Sequence, residues 1–371
     1  MALFSELSLI EPLLRAVRSL GHEAPTPIQT AAIPAILAGR DVCGTAQTGT
    51  GKTAAFALPI LQMLAATPRK DGVRALVLVP TRELAMQVGD AFVLYSQFLP
   101  LLRHAVVYGG MKQRAQRRAV EGDPDVVVAT PGRLLDLCGQ RMVNLSGVEF
   151  LVLDEADRML DLGFIADVNK LVSRLPRRRQ TLLFSATLPP EIENLAARTL
   201  HNPVRVSVAP VAAVAPHIEQ AVRHVQIPDK PAALREILAD TNVVRALVFV
   251  RTKAGADKLV QRLGTDGIVS EAIHSDRPQP DRIRALARFR SGACRVLIAT
   301  DIAARGIDID LVSHVINYDI PNVPETYVHR IGRTARAGAG GIAISLCSQL
   351  ERGFLVEIER LIGQAIPVID S

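Results

Sequence analysis

Two short runs hold most of the chemistry this sequence could perform. In AQTGTGKT (46–53), glycines at 49 and 51 precede a lysine and a hydroxyl. Glycines let successive backbone N–H groups wrap a phosphate with no Cβ in the way. A helix that follows points the positive end of its dipole at the same anion. Lys52 supplies a point charge, and Thr53 a hydroxyl suited to Mg2+. The second run is LVLDEAD (151–157), where Asp154 closes an apolar stretch and Glu155 follows. A magnesium–phosphate site needs a hard carboxylate and a second group that orients the attacking water, and Asp154 and Glu155 suit those tasks. Each run alone has a plainer reading, a Gly-rich turn for one and a charged helix start for the other. Together they point to phosphoanhydride chemistry.

These residues must be held by an α/β scaffold. Short β-branched runs alternate with helical patterns throughout, the signature of βαβ units on a parallel sheet. Strands are expected at 75–80, 105–110, 125–130, 149–156 and 180–187, then at 246–252, 269–275, 294–301, 313–319 and 341–348. Between these halves, VAPVAAVAPHIEQ (208–220) has two prolines, small residues and no helical period. It reads as a linker. The expected division is a domain over 1–208, a linker over 209–217 and a domain over 218–371. Most of the unusual polar clusters follow a strand, and ligand sites in open parallel sheets collect at the strands' carboxyl ends.

At 371 residues the chain is long for one such domain and comfortable for two. No stretch of about 18 uncharged apolar residues suggests a membrane span. The first residues, with Glu6 and Glu11 among apolar neighbours, read as an amphipathic helix start rather than a signal peptide. Cys43, Cys138, Cys294 and Cys347 show no metal-ligand spacing and are expected to be reduced thiols of a cytoplasmic protein. A net charge of +6 is compatible with a polyanionic partner.

Taken together, the motifs resemble those of the DEAD-box RNA helicases from about Phe4 to about residue 360, with details similar to a bacterial RhlE-like branch. The resemblance implies two tandem RecA-like domains, each a mainly parallel sheet flanked by helices, with an ATP/RNA cleft between them. It implies an RNA-dependent ATPase that uses ATP and Mg2+, the metal being held at Thr53 and Asp154. GHEAPTPIQ (21–29) resembles the adenine-reading element. There Gln29 would bond the base edge, Phe4 would be the isolated aromatic, and His22 stands where the family usually has Phe or Tyr. The phosphates would lie on Ala46, Gln47, Thr48, Gly49, Thr50, Gly51, Lys52 and Thr53, and the ribose on Asp308. Arg333 and Arg336 in HRIGRTAR (329–336) would reach the γ-phosphate, completing a catalytic set with Lys52, Asp154 and Glu155.

RNA-backbone contacts implied by the resemblance are Pro80, Thr81, Arg82, Gly109, Gly110, Thr130, Pro131, Gly132 and Arg133 in the first half. In the second they are Arg251, Thr252, Gln279, Arg282 and Thr300. Asp157, Ser185, Thr187 and His329 would couple ATP state to strand separation. Ser275, Pro278 and Ala335 depart from the usual Gly, Ser and Gly. Aromatic content is only 4%, which suits backbone grip without sequence reading. Protein partners in RNA decay or ribosome assembly fit such an enzyme, and the flanks that often choose a substrate are expected to lie outside these motifs. The alternative is an ATP-gated RNA clamp, or ribonucleoprotein-remodelling scaffold, with little unwinding.

Overall fold

Continuous apolar strands bounded by polar turns must be covered on both faces, and that requirement builds the architecture. The structure, a computed structural model, describes residues 3–46, 49–68, 72–99, 102–110, 113–208, 218–301, 312–334 and 340–369. The chain divides into two compact units, Met1–Pro210 and Val211–Ser371. The expected linker, 209–217, lies outside the described residues.

The first unit holds strands β1 (Val42–Thr45), β2 (Ala75–Leu78), β3 (His104–Val107), β4 (Val126–Ala129), β5 (Phe150–Leu153), β6 (Gln180–Ser185) and β7 (Val204–Ser207). They form one parallel sheet in the order β3-β4-β2-β5-β6-β1-β7. Its helices are α1 (Glu11–Ser19), α2 (Pro27–Leu37), α3 (Lys52–Ala65), α4 (Arg82–Ser96), α5 (Gln113–Val120), α6 (Pro131–Gly139), α7 (Ala156–Asp161), α8 (Ile165–Val172) and α9 (Pro190–Thr199). Side chains alternate across the sheet, so Ala75 and Val77 enter one core while Leu76 and Leu78 enter the other. Full burial of each large apolar side chain contributes about 1.5–3 kcal/mol.

The second unit repeats the plan. Strands β8 (Ile218–His224), β9 (Ala246–Phe249), β10 (Ser270–Ile273), β11 (Val296–Ala299), β12 (His314–Asn317) and β13 (Gly341–Cys347) form a parallel sheet ordered β10-β11-β9-β12-β13-β8. Helices α10 (Lys230–Ala239), α11 (Lys253–Thr265), α12 (Gln279–Arg290), α13 (Pro324–Ile331) and α14 (Arg352–Ile362) accompany it. Leu247 and Phe249 of β9 face one core, Ala246 and Val248 the other. The outer side of β8 is covered near the end of the chain. The Val222 N–H donates to the Pro367 carbonyl at 2.8 Å, and the Ile369 N–H to the Val222 carbonyl at 2.9 Å.

All ten expected strands are present, and β1, β7 and β8 are additional. Strand β8 begins inside the run read as linker-like and takes up its last three residues, 218–220. At the amino ends of the first sheet, buried polar groups bond to one another. Asp41 accepts from the Thr181 and His201 N–H groups at 2.8 and 2.6 Å. Arg74, 1% exposed, donates to Glu149 at 3.1 Å and to the Leu64 carbonyl at 3.3 Å.

Candidate nucleotide and RNA site

Strand order decides which candidates are neighbours. Reading across the first sheet, the carboxyl ends carry Gly109–Gly110 after β3, Thr130–Arg133 after β4 and Pro80–Arg82 after β2. Asp154–Asp157 follow β5, Ser185–Thr187 end β6, and Ala46–Thr53 follow β1. The expected RNA contacts therefore occupy one half of the row and the expected nucleotide residues the other.

In the phosphate loop, Gln47 and Thr48 lie outside the described residues. The Ala46 N–H donates to the Ser185 carbonyl at 3.0 Å, which roots the loop between β1 and β6. Lys52 opens α3, is buried, and donates from Nζ to the Ala46 carbonyl at 2.8 Å. Thr53 follows in the first helical turn. Gly51 caps α3 at φ +87, and a Cβ there would stand 2.3 Å from Gln29 Nε2. Glycine is needed for both reasons.

Gln29 itself is 5% exposed and doubly anchored. Its Oε1 accepts from the Thr26 N–H at 3.0 Å, and its Nε2 donates to the Gly51 carbonyl at 3.0 Å. The pair of backbone bonds fixes which way the amide points and leaves one donor hydrogen and one acceptor lone pair for a base edge. His22 is exposed and lies against Tyr95, with ring centroids 6.2 Å apart. Phe4 is 6% exposed and packs in the first unit's core, an enclosure the motif match did not indicate.

Asp154 is 2% exposed, and its Oδ1 accepts the Glu155 N–H at 3.0 Å. Burial raises its pKa to about 7, against the pull of the Lys52 charge and with the help of Glu155. A carboxylate so placed suits a divalent cation, which would favour its ionised form. Glu155 sits at φ 52, ψ 54, left-handed for a non-glycine, a placement that costs on the order of 1–2 kcal/mol. Its carboxylate is gripped by Arg158 at 3.2 Å, a residue that sequence reasoning missed although the i,i+3 spacing on α7 offered a signal.

Asp157 ties the β5 and β6 ends together. Its Oδ2 accepts from the Thr187 N–H and hydroxyl at 3.0 and 3.1 Å, and its own N–H donates to Ser185 Oγ at 3.0 Å. Three of the four expected coupling residues thus form one bonded unit. Among the RNA candidates, Thr81 caps α4 by accepting the Leu84 N–H at 3.3 Å. The Arg82 guanidinium lies so close to Gly110 (φ +89) that a Cβ there would be 2.5 Å from Nη1. Thr130 precedes α6, and Arg133 pairs with Asp136 at 3.3 Å.

In the second unit the same edge gathers Thr300 after β11, Arg251 and Thr252 after β9, and the start of α12 after β10. Gln279 opens α12, with its side chain outside the description, and Arg282 lies one turn on. Thr252 accepts the Gly255 N–H at 3.0 Å as the cap of α11. His329 lies in the last turn of α13, and Arg333 follows that helix and is 5% exposed. Asp308, Ala335 and Arg336 lie outside the described residues.

Arg330 is the second unit's missed residue. It forks onto Asp301 at 2.6 and 2.8 Å, donates to the Asp319 carbonyl at 2.7 Å and Asn317 Oδ1 at 3.1 Å, and lies 4.9 Å from the Phe249 ring centroid. A cavity of about 540 Å3 at the ends of β8 and β13, lined by His224, Ile227, Cys347, Leu350 and Arg352 among others, contains none of the expected site residues. Among the described residues no cluster of three or more His, Cys, Asp or Glu suits a metal, and no helix is long and apolar enough to cross a membrane.

The family model described as DEAD/DEAH box helicase matches residues 26–195, and that described as Helicase conserved C-terminal domain matches 229–338. The chain belongs to the DEAD-box ATP-dependent RNA helicases, and its two units are RecA-like domains. It is 45% identical to ATP-dependent RNA helicase DeaD of Mycobacterium tuberculosis over 98% of its own length and 64% of that protein's. It is 43% identical to DEAD-box ATP-dependent RNA helicase CshA of Bacillus cereus over 100% of its own length and 70% of the other. The S. cerevisiae Dbp5 structure bound to RNA and ADP BeF3 superimposes with a TM-score of 0.88 at 30% identity, covering 100% of this chain and 96% of that one. A DEAD box protein from the hyperthermophile Methanococcus jannaschii matches at 38% identity and TM-score 0.56, covering 100% and 99%. The names DeaD and CshA do not bear on the RhlE-like branch.

Proposed function

We propose that this protein is an RNA-dependent ATPase that grips single-stranded RNA by its backbone and separates short duplexes locally. The observation that carries the reading is Asp154: a buried carboxylate pushed up to about 7, beside Lys52 and the left-handed Glu155, in a row shared with the phosphate loop. A group under such a penalty suits a bound cation and phosphate better than a scaffold.

In this reading Lys52 and the loop N–H groups hold the β- and γ-phosphates, and Gln29 spends its remaining hydrogen-bonding capacity on adenine. Thr53 and Asp154 would hold Mg2+, which when bound supplies charge neutralisation to the phosphates. Glu155, steadied by Arg158, orients the attacking water. Arg333 and Arg336 come from the other domain and meet charge developing on the γ-phosphate, so hydrolysis depends on domain closure over RNA. The Asp157–Ser185–Thr187 unit, with His329, passes that state to the RNA half of the row. The domains proposed are 1–208 and 218–371, joined by 209–217, in a cytoplasmic protein with RNA as its partner.

The test is single-turnover ATP hydrolysis and displacement of a short RNA duplex, with and without single-stranded RNA. Hydrolysis stimulated by RNA but not by DNA of the same sequence is expected. Stimulation without strand displacement would favour the ATP-gated clamp, and no stimulation would sink both readings.

A further inference from the structure

Glu351 is the most heavily bonded carboxylate in the described second domain, and no role in nucleotide or RNA binding calls for it. It lies in a short 3-10 turn, Gln349–Glu351, and is 4% exposed. Its Oε2 accepts from Lys230 Nζ at 2.7 Å, the Ser348 hydroxyl at 2.7 Å and the Ser348 N–H at 3.0 Å. Its Oε1 accepts from the Ile320 N–H at 3.1 Å and from Arg251 Nη2 at 3.2 Å. Burial alone would raise its pKa, yet the bonds from Lys230 and Ser348 outweigh burial and hold it below the ordinary glutamate range.

Lys230 is as firmly held. Its side chain is 2% exposed, and Nζ also donates to the Tyr318 carbonyl at 2.7 Å and approaches Asp319 Oδ1 at 3.4 Å. The other Asp319 oxygen accepts the Arg251 N–H at 2.8 Å. Arg251 is therefore fixed twice, its backbone by Asp319 and its guanidinium by Glu351 and the Ile320 carbonyl at 3.1 Å. Yet its side chain is 52% exposed. Nη2 carries both guanidinium bonds and the guanidinium carbon lies 5.9 Å from the Phe354 ring centroid, so one end of the fork is anchored at the carboxyl edge of β9 while half of the side chain stays open to solvent.

We infer that the buried Lys230–Glu351 pair is a positioning device that presets the Arg251 guanidinium for an RNA phosphate. An exposed arginine ordinarily gives up the rotamer freedom of its long side chain on being immobilised. Here one end of the fork is bonded before RNA arrives, so less freedom is left to lose. The inference deepens the proposed function and rests on the reading of Arg251 as an RNA contact.

The experiment is a double-mutant cycle on the full chain with Arg251→Ala, Glu351→Gln and the double variant. Binding of a fluorescein-labelled single-stranded oligouridylate is measured by anisotropy across salt concentrations, with the ATP KM and thermal melting recorded alongside. Each single variant should weaken RNA binding about tenfold, the size of one charged hydrogen bond. Each should also lower the salt slope by about 0.7, the share of one single-strand phosphate. The double variant should bind no more weakly than Arg251→Ala, while the ATP KM stays put. A purely structural Glu351 would lower the melting temperature without changing the salt slope, and that result overturns the inference. Additive losses, or an inert Arg251→Ala, overturn it too. Should Glu351→Gln fail to fold, Ser348→Ala removes one of its bonds, with a smaller shift expected in the same two readouts and an unchanged salt slope counting against it. Wild-type protein whose ATPase RNA does not stimulate would count instead against the function itself.

Discussion

Two buried acids at the carboxyl ends of parallel sheets, one in each domain, are treated oppositely. In the first, Asp154 accepts one described hydrogen bond and is driven up to about 7 by burial. In the second, Glu351 accepts five hydrogen bonds from four residues. Asp301 is forked by Arg330 at 2.6 and 2.8 Å. The same chemistry, a carboxylate taken out of water, is only partly compensated in one place and saturated in the other. Under-satisfied charge marks where a ligand is to arrive; saturated charge marks scaffolding that aims other groups.

This contrast breaks first at Glu155. Glu155→Gln should lower RNA-stimulated hydrolysis by roughly 10²–10⁴ while nucleotide binding holds, the amide oxygen keeping an acceptor for Arg158. A loss of nucleotide binding as large as the loss of hydrolysis would erase the distinction. Next, Arg330→Ala strips one partner from a largely buried pair, worth about 3–5 kcal/mol, with the lower end favoured because Asp301 is 29% exposed. Calorimetry should show the second domain melting on the order of 10 °C lower, given roughly 2–4 °C per kcal/mol at this size.

Two pH experiments sharpen the comparison further. Asp154 is protonated up to about 7 when folded but only to about 3.9 when unfolded. The nucleotide-free folded state thus binds more protons in that window, and its stability falls as pH rises through it. Asp154→Asn should remove that fall, so its advantage in melting temperature grows from pH 4.5 to pH 7 and then levels off. Glu351 has the opposite sign. Its folded pKa is lowered, so its stabilisation is present above the ordinary glutamate pKa and is lost as pH drops through its folded value. Glu351→Gln should flatten that acid-side loss, the smallest effect of the four. Parallel pH slopes for the two sites would refute the contrast.

Much of this was readable from local patterns. The strands that the sequence analysis placed are runs of β-branched and aliphatic residues, a signal contained within each segment. Strand β1 is four residues with a central glycine, and β8, Ile-Glu-Gln-Ala-Val-Arg-His, buries every other residue without a matching alternation of polar and apolar types, beside a proline-rich run. Their pairing with neighbours, not their composition, makes them strands. Gln29, Lys52, Asp154 and Asp157 stand out because motif spacing is local. Arg330–Asp301 and Lys230–Glu351 do not, since 29 and 121 residues separate the partners. Such pairs are products of topology. Phe4 was legible as an isolated aromatic, but its burial depends on helices that pack over it.

The short segment against β8 has a consequence for handling the protein. The outer side of that strand would otherwise offer unpaired N–H and C=O groups to any passing chain. Pro367–Ile369 occupy that side through Val222, and Val368 shows 60% of its surface to solvent while doing so. The segment works as a stopper on a template for intermolecular strand growth. Trimming the chain to Ile366 should leave turnover per active site intact but convert a monodisperse solution into concentration-dependent aggregates, visible by light scattering.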